Sequence, residues 1–280
     1  MTRLHRFLLF WAAAPAIVLG VWLLRVAEAP SSVQTLQVIV ATVAAAVFVV
    51  LARMRRIGHA GDFQWLALVL ALSLFIPLLA GSQGGPERWL VLGGARLYVA
   101  PVVLPVALFL LGAPLRAPAI YAAAVVAAAT ALLLQPDASQ LSAFALAMLV
   151  LLAASSSHLP LRLALLAVLL CCAVVAWRSP DPLTPVPYVE GVFNVATEVS
   201  LFALLAALIS AALPVIAFVW VARVTRSNGT FAVAVYYAAL FALAPLQVTP
   251  VPLLGFGTGP ILGYFLVASV VSRASARHAA

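Results

Sequence analysis

Three kinds of side chain in this sequence are equipped for acid–base or charge chemistry: seven acids, fifteen arginines and four histidines. The histidines, His5, His59, His158 and His278, stand at unrelated positions and lack the spacing that metal ligation needs. No cofactor is indicated, and nothing in the ligand spacing calls for a divalent cation. The segment Gly255-Phe256-Gly257-Thr258-Gly259 lacks both the lysine and the strand context of a phosphate-binding loop. That leaves carboxylates, which can act as general bases, and guanidinium groups, which hold phosphates and carboxylates. Glu198 is the most telling of the acids. It lies about two turns inside a long apolar run over 192–222. An ionisable group at such a depth is costly and usually faces a cavity or a partner; the alternative is a carboxyl held by helix–helix hydrogen bonds.

The elements that must position these groups are apolar. Of 280 residues 66% are hydrophobic, mean hydropathy is +1.20, and only 8% are charged. A soluble domain carries roughly a quarter of its residues as charges, so lipid must be the main solvent. Spans are expected near 7–24, 34–52, 64–80, 98–113, 117–134, 140–155, 160–177, 192–222, 230–247 and 260–272, which makes an all-α, polytopic integral membrane helix bundle of about ten transmembrane helices in one domain, 1–280. Several fall short of the roughly twenty residues that cross a bilayer. The eighth is over-long and contains Pro214, where a kink is expected. The N-terminal run resembles a signal peptide but is long enough to span, and reads as an uncleaved first helix.

The net charge of +8 comes entirely from arginine. The arginines sit in short loops between apolar runs rather than on one face, which argues against nucleic acid. With the N-terminus in the cytoplasm, Arg3, Arg6, Arg53, Arg55, Arg56, Arg116, Arg162, Arg223, Arg226, Arg273 and Arg277 fall inside, and only Arg25, Arg88, Arg96 and Arg178 fall outside. Both termini are then cytoplasmic. Glu28, Glu87, Asp137, Asp181 and Glu190 fall on the outer side, with most of the loop glycines and prolines, so a site is expected there. Cys171 and Cys172 are adjacent in an apolar run and read as packing residues. No strong internal repeat favours a secondary transporter.

Three segments interrupt the apolar pattern with distinctive chemistry. The first, Gly85 to Leu97, reads GPERWLVLGGARL and is not a helix pattern; by itself it reads as an interfacial hairpin with Trp89 in the aromatic belt. The second is Gln135-Pro136-Asp137, by itself an ordinary turn. The third is PLQVTPVPLLGFGTGPIL, before the last span, whose non-helical backbone must be buried in protein or line a wet cavity. Together they resemble the SEDS family, the FtsW/RodA/SpoVE proteins of shape, elongation, division and sporulation. Gly85, Arg88, Trp89, Leu92, Gly93 and Arg96 match the family's external Arg-Trp loop in register, although its following glutamate and lysine are missing. Gln135, Pro136 and Asp137 match its Gln-Pro-Asp at the outer end of the fifth span. Pro245, Pro250, Pro252, Leu253 and Gly257 match its terminal proline segment, while Gly255 and Thr258 depart from it. The resemblance covers roughly residues 64–272.

The resemblance implies an inner-membrane protein of cell-wall (peptidoglycan) synthesis linked to cell shape or division. It implies a glycosyltransferase that polymerises lipid II, an undecaprenyl-diphosphate-linked precursor, on the outer face, with a class B penicillin-binding protein as partner and membrane lipid around it. A carboxylate at the start of the eighth span is its base; the gapless placement sets Glu190 there and Glu198 on a second family acid. Arg88, Arg96 and Arg178 become candidate diphosphate contacts, with Trp89 and Asp137 beside them; the alternative for the arginines is interfacial anchoring. Two departures stand against retained catalysis. Glutamate replaces the family's aspartate, and only six residues separate Leu183 from Glu190 where the family runs on for tens. A catalytically inactive relative that binds precursor or a cell-wall partner is therefore the alternative, and a lipid or solute transporter a third. An outward-opening cavity lined by the third, fourth, fifth, eighth and tenth spans is expected.

Overall fold

The computed structural model describes residues 2–54, 63–81, 87–92, 95–155, 158–179 and 184–275. The helices are α1 (Thr2–Trp11), α2 (Ala14–Val26), α3 (Ser31–Arg53), α4 (Phe63–Ser73), α5 (Ile76–Ala80), α6 (Ala100–Leu111), α7 (Pro118–Leu134), α8 (Ala138–Ala154), α9 (Leu159–Arg178), α10 (Val192–Val199), α11 (Leu201–Thr225), α12 (Asn228–Leu243) and α13 (Thr258–Ser275). Between α5 and α6 the strands β1 (Trp89–Leu92) and β2 (Ala95–Tyr98) form an antiparallel hairpin. The protein is a polytopic membrane helix bundle.

Among the described residues these helices make ten rods, because α1 with α2 and α4 with α5 each form one and the eight-residue α10 only leads into α11; six of the rods are long and apolar enough to cross a membrane. The breaks fall just before Pro15 and Pro77, where proline offers no N–H to the preceding turn. The over-long eighth run also divides, though not at Pro214, which lies within α11. The break is at Ser200, whose backbone is extended (φ −176°, ψ 161°) and whose hydroxyl accepts from the Ala203 N–H at 3.1 Å. A side-chain cap at the first turn of α11 makes the stop cheaper here than in mid-helix. The fourth span also starts later than expected, since residues 95–98 belong to the hairpin.

Lipid accounts for the perimeter. Leu79 and Phe202 are 85% and 84% exposed, and much of α3 and α9 presents bare valine and leucine. A soluble protein does not leave so continuous an apolar belt uncovered. The interior is built instead from α6, α8, α12 and α13, whose alanines and glycines let backbones approach closely. At Gly263 in α13, a Cβ would stand 1.8 Å from the Pro101 carbonyl oxygen of α6, so only glycine fits. Phe218, Tyr237 and Tyr264 pack together beside this seam, and the Tyr264 hydroxyl donates to the Leu9 carbonyl at 2.7 Å. That bond ties the first rod to the last.

Chain direction gives the bundle two distinct ends. The hairpin, the α7–α8 turn, residues 184–191 and the segment 247–257 share one end. The α6–α7 and α11–α12 turns and the C-terminus of α13 share the other, with Arg53, Arg116, Arg162, Arg223, Arg226 and Arg273.

Candidate functional site

Two of the three distinctive segments meet through backbone carbonyls. Arg88, just before β1, is 5% exposed. Its Nε donates to the Gln135 carbonyl at 3.0 Å and one terminal nitrogen to the Pro136 carbonyl at 2.9 Å. These carbonyls follow the last turn of α7, so they have no helical N–H to accept from. The fork of Arg88 satisfies both and fixes the hairpin to the Gln-Pro-Asp turn. The Gln135 side chain donates in turn to the Leu74 carbonyl at 2.5 Å, at the break between α4 and α5.

Asp137 follows as the N-cap of α8 and is 1% exposed. Its Oδ1 accepts from the Gln140 N–H at 3.2 Å and the Ser139 hydroxyl at 3.1 Å. Its Oδ2 accepts from the hydroxyl of Tyr98, the last residue of β2. Burial pushes the Asp137 carboxyl above its usual range, while Arg88 and the three donors pull the other way. Burial also raises Tyr98 well above its ordinary value, with the Asp137 charge adding to the shift, so the phenol remains the donor. Trp89 is half-buried against Tyr98, with ring centroids 6.0 Å apart, rather than simply lying in the interface. The network continues from Gln140, whose side-chain oxygen accepts from Tyr236 at 2.5 Å. Arg88, Trp89 and Asp137 are thus one buried assembly.

The third segment meets the glutamate expected as base. Residues 247–257 are irregular yet mostly buried, so their backbone groups need protein partners. The Val251 N–H donates to the Val189 carbonyl at 3.1 Å and the Phe256 N–H to the Tyr188 carbonyl at 2.8 Å. Gly255 lies so close that a Cβ would sit 2.2 Å from the Val189 oxygen; here glycine, not the serine of the SEDS pattern, matches the geometry. Glu190 is half-buried in the turn these bonds hold, and its Oε2 accepts from the Val186 N–H at 2.9 Å. The third segment also reaches the first. The Thr258 hydroxyl donates to the Arg96 carbonyl at 3.1 Å, and Gly259 packs on the Tyr98 carbonyl. The three segments and Glu190 therefore stand at one end of the molecule.

Other expected residues are placed differently. Arg96 is exposed, as is Arg178 at the end of α9, and neither side chain has a hydrogen bond to the assembly around Asp137 among the described residues. Glu198 is not deep inside a long helix: the break at Ser200 leaves it exposed on the last turn of α10. It lines a cavity of about 410 Å³ with Glu28, Val26, Ala27, Pro187, Val195 and Val199. This cavity at the hairpin end is lined by the end of the first rod, the turn before Glu190 and α10, instead of the third, fourth, fifth and tenth spans. A larger cavity, about 530 Å³, opens at the opposite end. Gly85, Gly93 and Asp181-Pro182-Leu183 lie outside the described residues.

Sequence reasoning missed Gln37, Tyr98, Gln140 and Tyr236. Gln37, fully buried in α3, donates to the Gly255 carbonyl at 3.2 Å and accepts from the Gly257 N–H at 3.3 Å. The signal was present: a polar amide inside an apolar span needs a partner. Tyr98 offered no such signal, because its position in the SEDS pattern belongs to a different residue type.

No family model matches the chain, and no curated protein does. Solved structures do. The Thermus thermophilus rod shape determining protein RodA superposes with a TM-score of 0.70 over 96% of this chain and 95% of that one, at 18% identity.

The chain has the RodA fold.

A chain from a peptidoglycan synthase complex that coordinates polymerization and crosslinking superposes with a TM-score of 0.63, at 19% identity, over 96% of this chain and 97% of that one. The RodA fold thus runs through nearly the whole chain, the first two rods included, which the motifs alone did not reach. The likeness to the SEDS family read from three short segments holds at the level of the fold.

Proposed function

We propose that this RodA-fold protein works in peptidoglycan synthesis at a bacterial plasma membrane, handling an undecaprenyl-diphosphate-linked saccharide at its hairpin end. The observation that carries this reading is the convergence, in that fold, of the Arg88 hairpin, the Asp137 turn and the proline segment around the turn that bears Glu190. The arginine bias supports the hairpin end as the outer one, with both termini cytoplasmic. A penicillin-binding protein is the partner this reading implies, because the second structural relative belongs to a peptidoglycan synthase complex.

Glu190 is the base in this reading. Its carboxylate takes the proton of an acceptor sugar hydroxyl. The freed oxygen then attacks the donor's anomeric carbon, and the bond to the diphosphate breaks, so undecaprenyl diphosphate departs with that electron pair. Arg96 and Arg178 are exposed cations at this end that can meet the diphosphate. Arg88 instead positions the hairpin, since its guanidinium spans two carbonyls.

The purified protein, alone and with a penicillin-binding protein, should polymerise lipid II, and Glu190→Gln should abolish polymer while leaving lipid II binding intact. Equal polymer from both proteins removes Glu190 as base. One observation favours a second reading, a relative that binds lipid II without polymerising it: the Glu190 carboxylate is engaged by the backbone of its own turn. Saturable lipid II binding with no polymer under any of these conditions selects that reading.

A further inference from the structure

The larger cavity lies at the arginine-rich end, away from every residue of the proposed site. It holds about 530 Å³ and is enclosed by the ends of α4, α6, α7, α8, α11, α12 and α13. That volume is within the range of small-molecule sites, roughly 300–1,000 Å³. Phe63, Phe109, Leu151 and Val271 give it apolar walls. Tyr121, in the first turn of α7, lines it while only 4% exposed, and its hydroxyl has no hydrogen-bond partner among the described residues. The ring is buried and the hydroxyl is left accessible without a protein partner, so it is free to bond a group held in the cavity.

The mouth is cationic. Arg226 lines it, exposed, with no ion pair or hydrogen bond to its guanidinium among the described residues. The turn that carries it runs directly into α12. Ser227 caps the Thr230 N–H at 3.2 Å, leaving the Asn228 N–H at the cavity edge without a partner in the described structure, whereas Gly229 is packed against Gly112 and does not reach the cavity. Unpaired N–H groups at a helix start favour an anion, phosphate above all. The described carboxylates, Glu28, Glu87, Asp137, Glu190 and Glu198, all stand at the other end, so among the described residues none offsets the arginines here; Asp62, which precedes Phe63, lies outside the described residues.

We propose that this cavity binds a phosphate-headed amphiphile. The phosphate lies between Arg226 and the start of α12, the apolar body lies against Phe63, Phe109 and Leu151, and the Tyr121 hydroxyl bonds along its length. An apolar cavity behind an anion-binding mouth fits neither a bare inorganic anion nor a neutral hydrocarbon. The inference is independent of any reaction at the hairpin end.

Native mass spectrometry of the full chain in dodecyl maltoside tests it, with dihexanoyl phosphatidic acid, dihexanoyl phosphatidylcholine and inorganic phosphate as probes. Phosphatidic acid should occupy one saturable site and outbind phosphatidylcholine by about tenfold or more, as loss of a charge-assisted contact implies. Arg226→Gln should cost about tenfold, Tyr121→Phe a few-fold, and Ala154→Phe, which fills the cavity, should abolish binding. Arg53→Gln, exposed at the same end but outside the cavity, should leave it unchanged. Thermal unfolding confirms that each variant is folded, and Tyr121→Phe, the mildest change, keeps the test valid if Ala154→Phe is not. Equal affinity for both lipids, binding unaltered by Arg226→Gln and Tyr121→Phe, or inorganic phosphate binding as tightly as phosphatidic acid would each overturn the proposal. In phosphatidylcholine nanodiscs, displacement of the probe by added phosphatidylglycerol assigns the site to bilayer lipid; lack of displacement assigns it to a soluble phosphate ester.

Discussion

The Tyr98 hydroxyl donates to Oδ2 of Asp137, joining the end of the hairpin to the start of α8 across 39 residues of sequence. Asp137 is both the cap of a helix and the acceptor that anchors a strand. Removing it should therefore cost more than an ordinary cap. Asp137→Ala leaves the Tyr98 hydroxyl and Gln140 N–H without their partner in a buried place, about 1–3 kcal/mol each. Tyr98→Phe removes one donor and should cost about 1 kcal/mol. Thermal unfolding in detergent and a double-mutant cycle should show coupling between the two sites; additive losses would mean that the pair does not act as a unit.

The same carboxyl sets a pH dependence. Burial raises the folded-state value of Asp137 above that of the unfolded chain. Its contribution to stability is then fully present below the usual aspartate range, and is lost as pH rises through the raised value. Asp137→Asn should remove that slope from the curve of stability against pH between the two values. An unchanged slope would show that another group titrates there.

Glu190 should separate charge from structure. Glutamine keeps an oxygen to accept from the Val186 N–H, whereas alanine does not. Glu190→Gln should thus unfold within about 0.5 kcal/mol of the parent, and Glu190→Ala about 1 kcal/mol below it. Loss of lipid II polymerisation in both, with lost stability only in alanine, assigns the activity to the charge.

Gln37 supports the site from the second rod. Gln37→Leu strands the Gly255 carbonyl and the Gly257 N–H, and should cost about 2 kcal/mol or more. Gly255→Ala attacks the same join sterically, because its Cβ would meet the Val189 oxygen at 2.2 Å. Both should displace the turn of Glu190 and weaken lipid II binding. Wild-type binding by either variant would detach the proline segment from the site.

Orientation can be read directly. Alkaline phosphatase fused after Arg178 should be active, and fused after Ser227 inactive, because the arginine count places these turns on opposite sides with the first outside. The reverse pattern would put the hairpin in the cytoplasm and end the reading of an external site.

The membrane bundle was legible in the sequence because its cause is local. Each apolar run must hydrogen-bond its own backbone in lipid, and a helix does that without help from the rest of the chain. Hence ten runs led to ten rods. Glycine-rich, charged residues 85–97 broke that rule visibly, and the hairpin followed. What stayed hidden depends on partners far along the chain. Whether the run over 192–222 would break at Pro214 or at Ser200 turns on a cap and on packing, not on composition.

From the sequence alone came the solvent, the class of fold, the rods and the three segments with distinctive chemistry, since each follows from nearest-neighbour hydropathy and short motifs. Only the tertiary structure decided their use. It made Arg88 a brace rather than an outward cation, left Glu198 exposed, and gave Asp137 a partner in Tyr98 and Gly255 one in Gln37. It also opened its larger cavity at the arginine-rich end. Those outcomes rest on which buried polar groups find each other when the rods pack, and a linear pattern does not contain that pairing.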